Sequence, residues 1–218
     1  MSKLKIAFQG EPGANSDIAA REVYPDCEPL PCATFEDALA AISNGKADLG
    51  MIPIDNSIAG RVADIHHLLP HAKLHIVGEH FLPIHFNLMA PKGATLKTIK
   101  SVESHIHALG QCRRFIRRHG YTAVIAADTA GAARHISQTN DVTRGALAPK
   151  LAATIYGLDV LAENVEDEAH NTTRFVILSR DGAHAPRGNG PMVTTFVFRV
   201  RNLPAALYKA MAASPPTA

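Results

Sequence analysis

The chain has 218 residues, of which 46% are hydrophobic and 19% are charged, and its formal net charge at pH 7 is +2. This length allows one or two domains with substantial cores, and the composition excludes an intrinsically disordered chain. The small net charge, the absence of tryptophan and an aromatic content of 6% give no basis for a nucleic-acid partner.

Short apolar strands alternate with helices along most of the chain. The pattern predicts strands at 4–8, 48–54, 74–82, 84–90, 121–127, 146–148, 158–162 and 175–178, with a further strand ending at 103. It predicts helices ending at 20 and covering 35–42, 61–69, 95–99, 108–118, 130–136 and 149–156. Such alternation is typical of α/β folds with parallel sheets.

The order of these elements predicts two lobes with a cleft between them. Pro83 separates two strands and marks a crossing from one lobe to the other, and the chain returns through residues 164–170. We therefore predict one lobe from 1–77 plus 166–180 and a second lobe from 78–165. A cleft between two such lobes is a common binding site for a small molecule.

Small polar residues stand at four junctions where a strand leads into a helix. They are Asn15 and Ser16, Asn56 and Ser57, Ser104, and Asp128 and Thr129. The first N–H groups of a helix have no partner within the helix, and they can bind a carboxylate. The same residue types are also ordinary helix caps, and that interpretation stays open for each of them.

A fifth polar segment, Asn171-Thr172-Thr173-Arg174-Phe175, comes directly before the apolar strand at 175–178. Arg174 could hold a carboxylate through two parallel hydrogen bonds, and Thr172 or Thr173 could donate a hydrogen bond to a leaving oxygen. An ordinary polar turn before a strand would have a similar composition. Together with the helix starts at the four junctions, Arg174 would suit a small molecule with two acid groups.

Cysteine and histidine usage gives no evidence of a metal site. Three cysteines (Cys27, Cys32 and Cys112) are an odd number without CxxC spacing, and the 12 histidines lack carboxylate partners at metal-ligand spacing. Neither a signal peptide nor a membrane-spanning segment is evident. We expect a cytoplasmic protein with no cofactor and no membrane partner.

Six runs of sequence, taken in order, carry a family resemblance. They are Gly10-x-x-Gly13-x-Asn15-Ser16, the segment 53–60, Ser104-His105 with 108–112, the segment 128–133, the segment 156–158, and 171–175. Together they resemble the prephenate dehydratases, which convert prephenate to phenylpyruvate. Asn15, Asp55, Ile106 and His107 depart from the residues that many members carry, which affects the expected shape of the pocket.

The resemblance implies a two-lobed fold like that of type II periplasmic binding proteins. It implies that Thr173 supplies the catalytic hydroxyl and that Arg174 and Asn171 act beside it. It also implies a substrate-binding set, namely Asn15, Ser16, Asn56, Ser57, Ser104, Asp128, Thr129, Thr172 and Phe175. Two other functions stay open: an arogenate dehydratase, and a non-catalytic protein that binds a carboxylated metabolite in the same cleft.

The last part of the sequence predicts a linker at 181–191, a strand at 193–200 and a helix at 203–213. The run 202–207 resembles the first turn of an ACT domain, the phenylalanine-sensing module of the family, with Ala205 in place of glycine. We expect a truncated ACT segment at 192–218, which a frameshift in the gene would explain. For this chain we expect a weakened homodimer and no feedback by L-phenylalanine.

Overall fold

A computed structural model describes residues 3–183, 195, 198 and 200–212 of the chain. Its internal contacts divide the chain into two compact units, Met1–His184 and Ala185–Ala218. The first unit contains both predicted lobes, each built around one sheet.

Six strands form the sheet of the first lobe. They are β1 (Lys5–Gln9), β2 (Glu28–Cys32), β3 (Leu49–Asn56), β4 (Gly60–Arg61), β5 (His75–Pro83) and β11 (Thr172–Ser179). Their order is β2-β1-β3-β11-β5, and β4 pairs with β3. β1 is parallel to β2 and β3, whereas β11 is antiparallel to β3 and β5. The sheet is therefore mixed, although the sequence predicted a parallel one, because β11 returns from the other lobe.

Five strands form the sheet of the second lobe. They are β6 (Asn87–Ala90), β7 (Ser101–Ser104), β8 (Thr122–Ile125), β9 (Arg144–Ala148) and β10 (Asp159–Ala162). Their order is β10-β6-β9-β7-β8. β7 is parallel to β8 and β9, and β6 is antiparallel to β9 and β10. This sheet is also mixed.

Helices pack against both sheets. Those of the first unit are α1 (Asn15–Val23), α2 (Phe35–Ser43), α3 (Ala63–Leu68), α4 (Ile106–Gln111), α5 (Arg113–His119), α6 (Thr129–Thr139) and α7 (Lys150–Tyr156). A 3-10 turn, Leu69–His71, follows α3. No helix in the described part of the chain is long and apolar enough to cross a bilayer. The prediction of a two-lobed α/β fold is confirmed.

The first crossing between the lobes comes later than predicted. The proposed boundary after residue 77 falls inside β5, and the chain changes lobe only between Pro83 and Asn87. The two crossings lie side by side. The Ile84 N–H donates to the Asn171 carbonyl at 2.8 Å, and the Val165 N–H donates to the Phe86 carbonyl at 2.9 Å. Two paired segments thus connect the lobes.

Three local predictions were wrong for identifiable reasons. β2 was missed because its sequence, Glu-Pro-Leu-Pro-Cys, contains two prolines, which a strand tolerates at the edge of a sheet. The predicted helix at 95–99 is a turn in which the Thr95 and Thr98 hydroxyls accept hydrogen bonds from each other's backbone N–H. The predicted helix at 108–118 breaks at Cys112, where φ is −116° and ψ is 23°.

In the second unit, the structure describes one helix, α8 (Ala206–Ala212), inside the predicted helix at 203–213. The predicted strand at 193–200 and linker at 181–191 lie mostly outside the described residues. The ACT assignment therefore stays a prediction.

Candidate active site

A cavity of about 790 Å³ is lined by residues of both lobes and of the crossings that join them. Eight of the predicted site residues line it: Asn15, Ser16, Asn56, Asp128, Thr129, Asn171, Thr173 and Phe175. Its volume is in the range of clefts that enclose a small organic ligand. The structure therefore brings together residues that are up to 160 positions apart in the sequence, from Asn15 to Phe175.

Strand geometry divides the pentapeptide into two faces. Thr172 to Phe175 form the start of β11 rather than a turn before it, which corrects the predicted strand boundary. Successive side chains of a strand point to opposite faces. Thr173 and Phe175 line the cavity and are buried, at 9% and 1% exposure, whereas Thr172 and Arg174 are not among the lining residues.

Arg174 is consequently not placed to clamp a ligand inside the cavity, contrary to the sequence-based expectation. Its Nε and Nη2 atoms donate to Glu79 Oε2 at 2.9 and 2.6 Å, and its guanidinium carbon lies 5.9 Å from the centre of the Phe81 ring. Glu79 and Phe81 belong to the neighbouring strand β5. This contact links β11 to β5 on the face opposite to Thr173.

One side-chain amide fixes the position of the Thr173 hydroxyl. Asn56 Nδ2 donates to Thr173 Oγ1 at 2.9 Å and to Asn171 Oδ1 at 2.7 Å. Asn56 Oδ1 in turn accepts from the Ile58 and Ala59 N–H groups, at 3.0 and 2.7 Å. These acceptor contacts assign the orientation of the Asn56 amide, because a flipped amide would direct its NH2 group at two N–H donors.

The arrangement leaves the Thr173 proton available to a ligand. A hydroxyl has one proton to donate, and Thr173 Oγ1 already accepts from Asn56. Among the hydrogen bonds of the described residues, none has Thr173 Oγ1 as the donor. Thr173 lines the cavity, so its O–H can donate to a group bound there.

Gln111 extends this network to the second lobe. Asn171 Nδ2 donates to Gln111 Oε1 at 2.7 Å, so Gln111, Asn171, Asn56 and Thr173 form one chain of hydrogen bonds. Gln111 is at the end of α4 and lines the cavity. Gln111 is not among the predicted site residues, although it lies in the family-like run 108–112.

Three predicted binding residues have structural roles instead. Ser104 is fully buried, and its Oγ donates to the Leu147 carbonyl at 2.6 Å. Ser57 Oγ donates to the His170 carbonyl at 3.0 Å and accepts from the Thr172 N–H at 2.9 Å. Ser104, Ser57 and Thr172 do not line the cavity, so the prediction that they contact a ligand there is corrected.

The helix starts at the cavity are not equivalent. α6 is capped by Asp128, whose Oδ1 accepts from the Gly131 N–H at 2.6 Å, so the cap interpretation holds for this residue. α1 begins after Ala14 and has no side-chain cap, and its first residues, Asn15 and Ser16, line the cavity. The N–H groups of α1 are therefore better placed to bind an anion.

Charged and titratable residues complete the lining, and they include Arg61, Glu36, Asp64, His105 and His107. Burial lowers the pKa of His105 below its ordinary value of 6.5, nearby His107 lowers it further, and Asp128 opposes both effects. His105 Nδ1 accepts from the His107 N–H at 3.3 Å. His105 is therefore neutral at pH 7, with its proton on Nε2.

Neither a metal cluster nor an activated thiol is found in the described residues. No group of three or more His, Cys, Asp or Glu side chains there could hold a metal ion. Cys112 is buried, and burial raises the pKa of its thiol, so it is protonated at neutral pH.

Fold and cavity together define a two-lobed α/β protein whose cleft is lined by both polar and apolar side chains. The family model described as "Prephenate dehydratase" matches residues 6–183. The chain therefore belongs to the prephenate dehydratase family, as the resemblance predicted.

Two curated relatives illustrate the match. Over 206 residues the chain is 47% identical to the "Bifunctional N-acyl-homoserine lactone acylase/prephenate dehydratase" of Komagataeibacter europaeus, a match that covers 94% of the chain and 73% of the relative. Over 211 residues it is 42% identical to "Arogenate dehydratase/prephenate dehydratase 1, chloroplastic" of Arabidopsis thaliana, covering 97% of the chain and 54% of the relative. The chain thus spans only about half of that plant protein.

A solved structure shows the same fold. The prephenate dehydratase of Arthrobacter aurescens in complex with L-Phe superposes with a TM-score of 0.83 at 29% identity, covering 95% of this chain and 71% of that one. The family and the fold thus agree with the two-lobed architecture described above.

Proposed function

We propose that the chain catalyses the decarboxylating dehydration of prephenate to phenylpyruvate. The observation that carries this proposal is the Thr173 hydroxyl, which accepts from Asn56 and has its proton available to the cavity. Family membership supplies the reaction class, hydro-lyase chemistry, and the cavity supplies the geometry.

The reaction needs no redox step. Prephenate carries a carboxylate and a hydroxyl on a cyclohexadiene ring. The bond from the ring to the carboxylate breaks, its electron pair enters the ring, and the bond to the hydroxyl breaks at the other end. The hydroxyl takes up a proton and leaves as water, CO2 is released, and formation of the aromatic ring drives the reaction. No cofactor is required by this balance of atoms and electrons.

Thr173 would stabilise the departing oxygen. A hydrogen bond from its hydroxyl grows stronger as negative charge develops on that oxygen, so it favours the transition state over the bound substrate. Asn56 prevents the hydroxyl from rotating away, because it occupies an acceptor position of Thr173 Oγ1. Such a preorganised donor typically contributes about 10²–10³-fold in rate.

The remaining lining suits the rest of prephenate. Ile84, Phe86 and Phe175 present apolar surface to the cavity, against which the ring can pack. The uncapped start of α1, at Asn15 and Ser16, offers N–H groups to a carboxylate. Thr129, which opens α6, lines the same cavity and is proposed as a further polar contact.

Arogenate is the alternative substrate. It differs from prephenate by an amino group in the side chain, and several relatives are named as arogenate dehydratases, including "Arogenate dehydratase 2" of Petunia hybrida at 39% identity. The test is to give the purified chain prephenate or arogenate separately. Phenylpyruvate, read by its absorbance in alkali, supports the proposal, whereas phenylalanine formed only from arogenate supports the alternative. Ligand binding without either product would indicate a non-catalytic binding protein.

Assembly, regulation and compartment stay predictions. We propose a homodimer in the cytoplasm, and sedimentation equilibrium of the 218-residue chain tests its mass. The expected lack of feedback is tested by titrating L-phenylalanine into the prephenate assay. A rate that falls with added phenylalanine would contradict it.

A further inference from the structure

Since Arg174 is held by Glu79, another group must balance the charge of a dianionic substrate. Arg61 is the only arginine or lysine among the described residues that line the cavity. The other charged side chains of the lining include Glu36, Asp64 and Asp128, which would repel a carboxylate. Arg61 is thus the lining residue best suited by charge to bind one.

The Arg61 guanidinium also has no polar partner among the described residues. Its side chain forms no ion pair and no hydrogen bond with any residue in the described part of the chain, although its backbone pairs with Asp55. Asp55 lies opposite to it in the pairing of β3 with β4, yet no ion pair joins the two side chains. Its exposed guanidinium can therefore bind a ligand without breaking an existing contact.

The strand β4 holds Arg61 next to the catalytic network. Gly60 pairs with Asn56 and Arg61 pairs with Asp55, which closes a short hairpin between β3 and β4. The Asn56 side chain accepts from the Ile58 and Ala59 N–H groups inside that hairpin. One asparagine therefore orients the Thr173 hydroxyl and orders the turn that carries Arg61.

We propose that Arg61 binds the side-chain carboxylate of the substrate, the one that is retained in the product. The proposal rests on the function proposed above. The ring carboxylate loses its charge as CO2 forms, so an ion pair to it would stabilise the bound substrate more than the transition state and would slow the reaction. The side-chain carboxylate keeps its charge throughout, and binding it lowers KM without that penalty.

The test uses Arg61→Gln, with Arg61→Lys and a matched control, Arg118→Gln. Arg118 is exposed on α5 and is not a cavity residue. For Arg61→Gln we expect the KM for prephenate and the dissociation constant of phenylpyruvate to rise together, by about 10- to 100-fold, with kcat nearly unchanged. Arg61→Lys should recover part of the loss, and Arg118→Gln should match the parent chain.

Phenylpyruvate is the decisive probe because it has only the side-chain carboxylate. An unchanged phenylpyruvate affinity in Arg61→Gln, whatever happens to KM, would overturn the proposal. Its affinity is measured by calorimetry without turnover. A parent chain that binds phenylpyruvate through Arg61 but does not convert prephenate would therefore refute the proposed function and leave the Arg61 proposal standing. A parent chain that does not bind phenylpyruvate would overturn the Arg61 proposal.

Discussion

At the scale of the residue, the Asn56 side chain connects the Thr173 hydroxyl to the backbone of the turn between β3 and β4. Its Oδ1 atom accepts hydrogen bonds from two backbone N–H groups, and its Nδ2 atom donates to Thr173 and Asn171. Replacement by aspartate separates the two functions, because a carboxylate can still accept from the backbone but cannot donate.

We therefore expect Asn56→Asp to lower kcat by about 10- to 100-fold, since Thr173 loses its donor and meets a negative charge. Asn56→Ala should also lower the melting temperature, because the Ile58 and Ala59 N–H groups lose their acceptor. The measurements are kcat on prephenate and thermal unfolding. An Asn56→Asp enzyme with the parent kcat would show that the amide does not position Thr173.

His105, which lines the cavity, makes the stability of the folded chain depend on pH. The folded state lowers its pKa below the unfolded value near 6.5, chiefly through burial, so the unfolded chain binds more protons at that residue. The stability contributed by neutral His105 is present above pH 6.5 and is lost as the pH falls toward the folded pKa.

His105→Asn should reduce this dependence, because asparagine can still accept a hydrogen bond at the start of α4 and does not titrate. The check is the melting temperature of both proteins from pH 7.5 down to pH 5.5. The parent chain should lose more stability over this interval than the variant does. Equal losses would mean that His105 is not a source of the pH dependence.

At the scale of the element, the loop between β1 and α1 depends on a glycine. Gly13 has φ of +87°, and a Cβ atom there would lie 2.8 Å from the Ala152 Cα of α7, in the other lobe. The Tyr156 hydroxyl of α7 donates to the carbonyl of Pro12 in the same loop, at 2.9 Å. The backbone of one lobe thus approaches a helix of the other closely.

Gly13→Ala should destabilise the fold by about 1–3 kcal/mol, because the added methyl is strained by its backbone conformation and collides with α7. Gly110→Ala is the matched control, since Gly110 lies in α4 and a Cβ atom there meets nothing within 4 Å. Chemical denaturation measures both. If the two variants are equally stable, the close approach to α7 is not a constraint.

The same elements show what could be predicted from the sequence. Alternating apolar runs and glycine-bearing turns predicted most strands and helices. The four polar junctions contain five of the predicted residues that line the cavity, and the segment 171–175 contains the other three. The side of β11 on which Arg174 falls could not be read from the pentapeptide. It depends on the pairing of β11 with β3 and β5, a long-range contact. Arg61 was missed because it was assigned to a helix, whereas pairing with β3 makes it a strand residue.

At the scale of the whole molecule, the proposed activity depends on how the two lobes are joined at the cavity. The two crossings place Asn171 between the lobes, where it donates to Gln111 of one lobe and accepts from Asn56 of the other. Separation of the lobes would break this chain of hydrogen bonds and open the cavity to water. In the proposed mechanism, this arrangement of the lobes keeps the Thr173 hydroxyl in position to donate to the leaving oxygen.

The most direct measurement compares two adjacent threonines on opposite faces of β11. We expect Thr173→Ala to lower kcat on prephenate by about 100-fold or more with a small change in KM, and Thr173→Ser to retain much of the activity. Thr172→Ala, the matched control outside the cavity, should keep the parent kcat. A Thr173→Ala enzyme that turns over as fast as Thr172→Ala would contradict the central claim that this hydroxyl acts on the leaving oxygen.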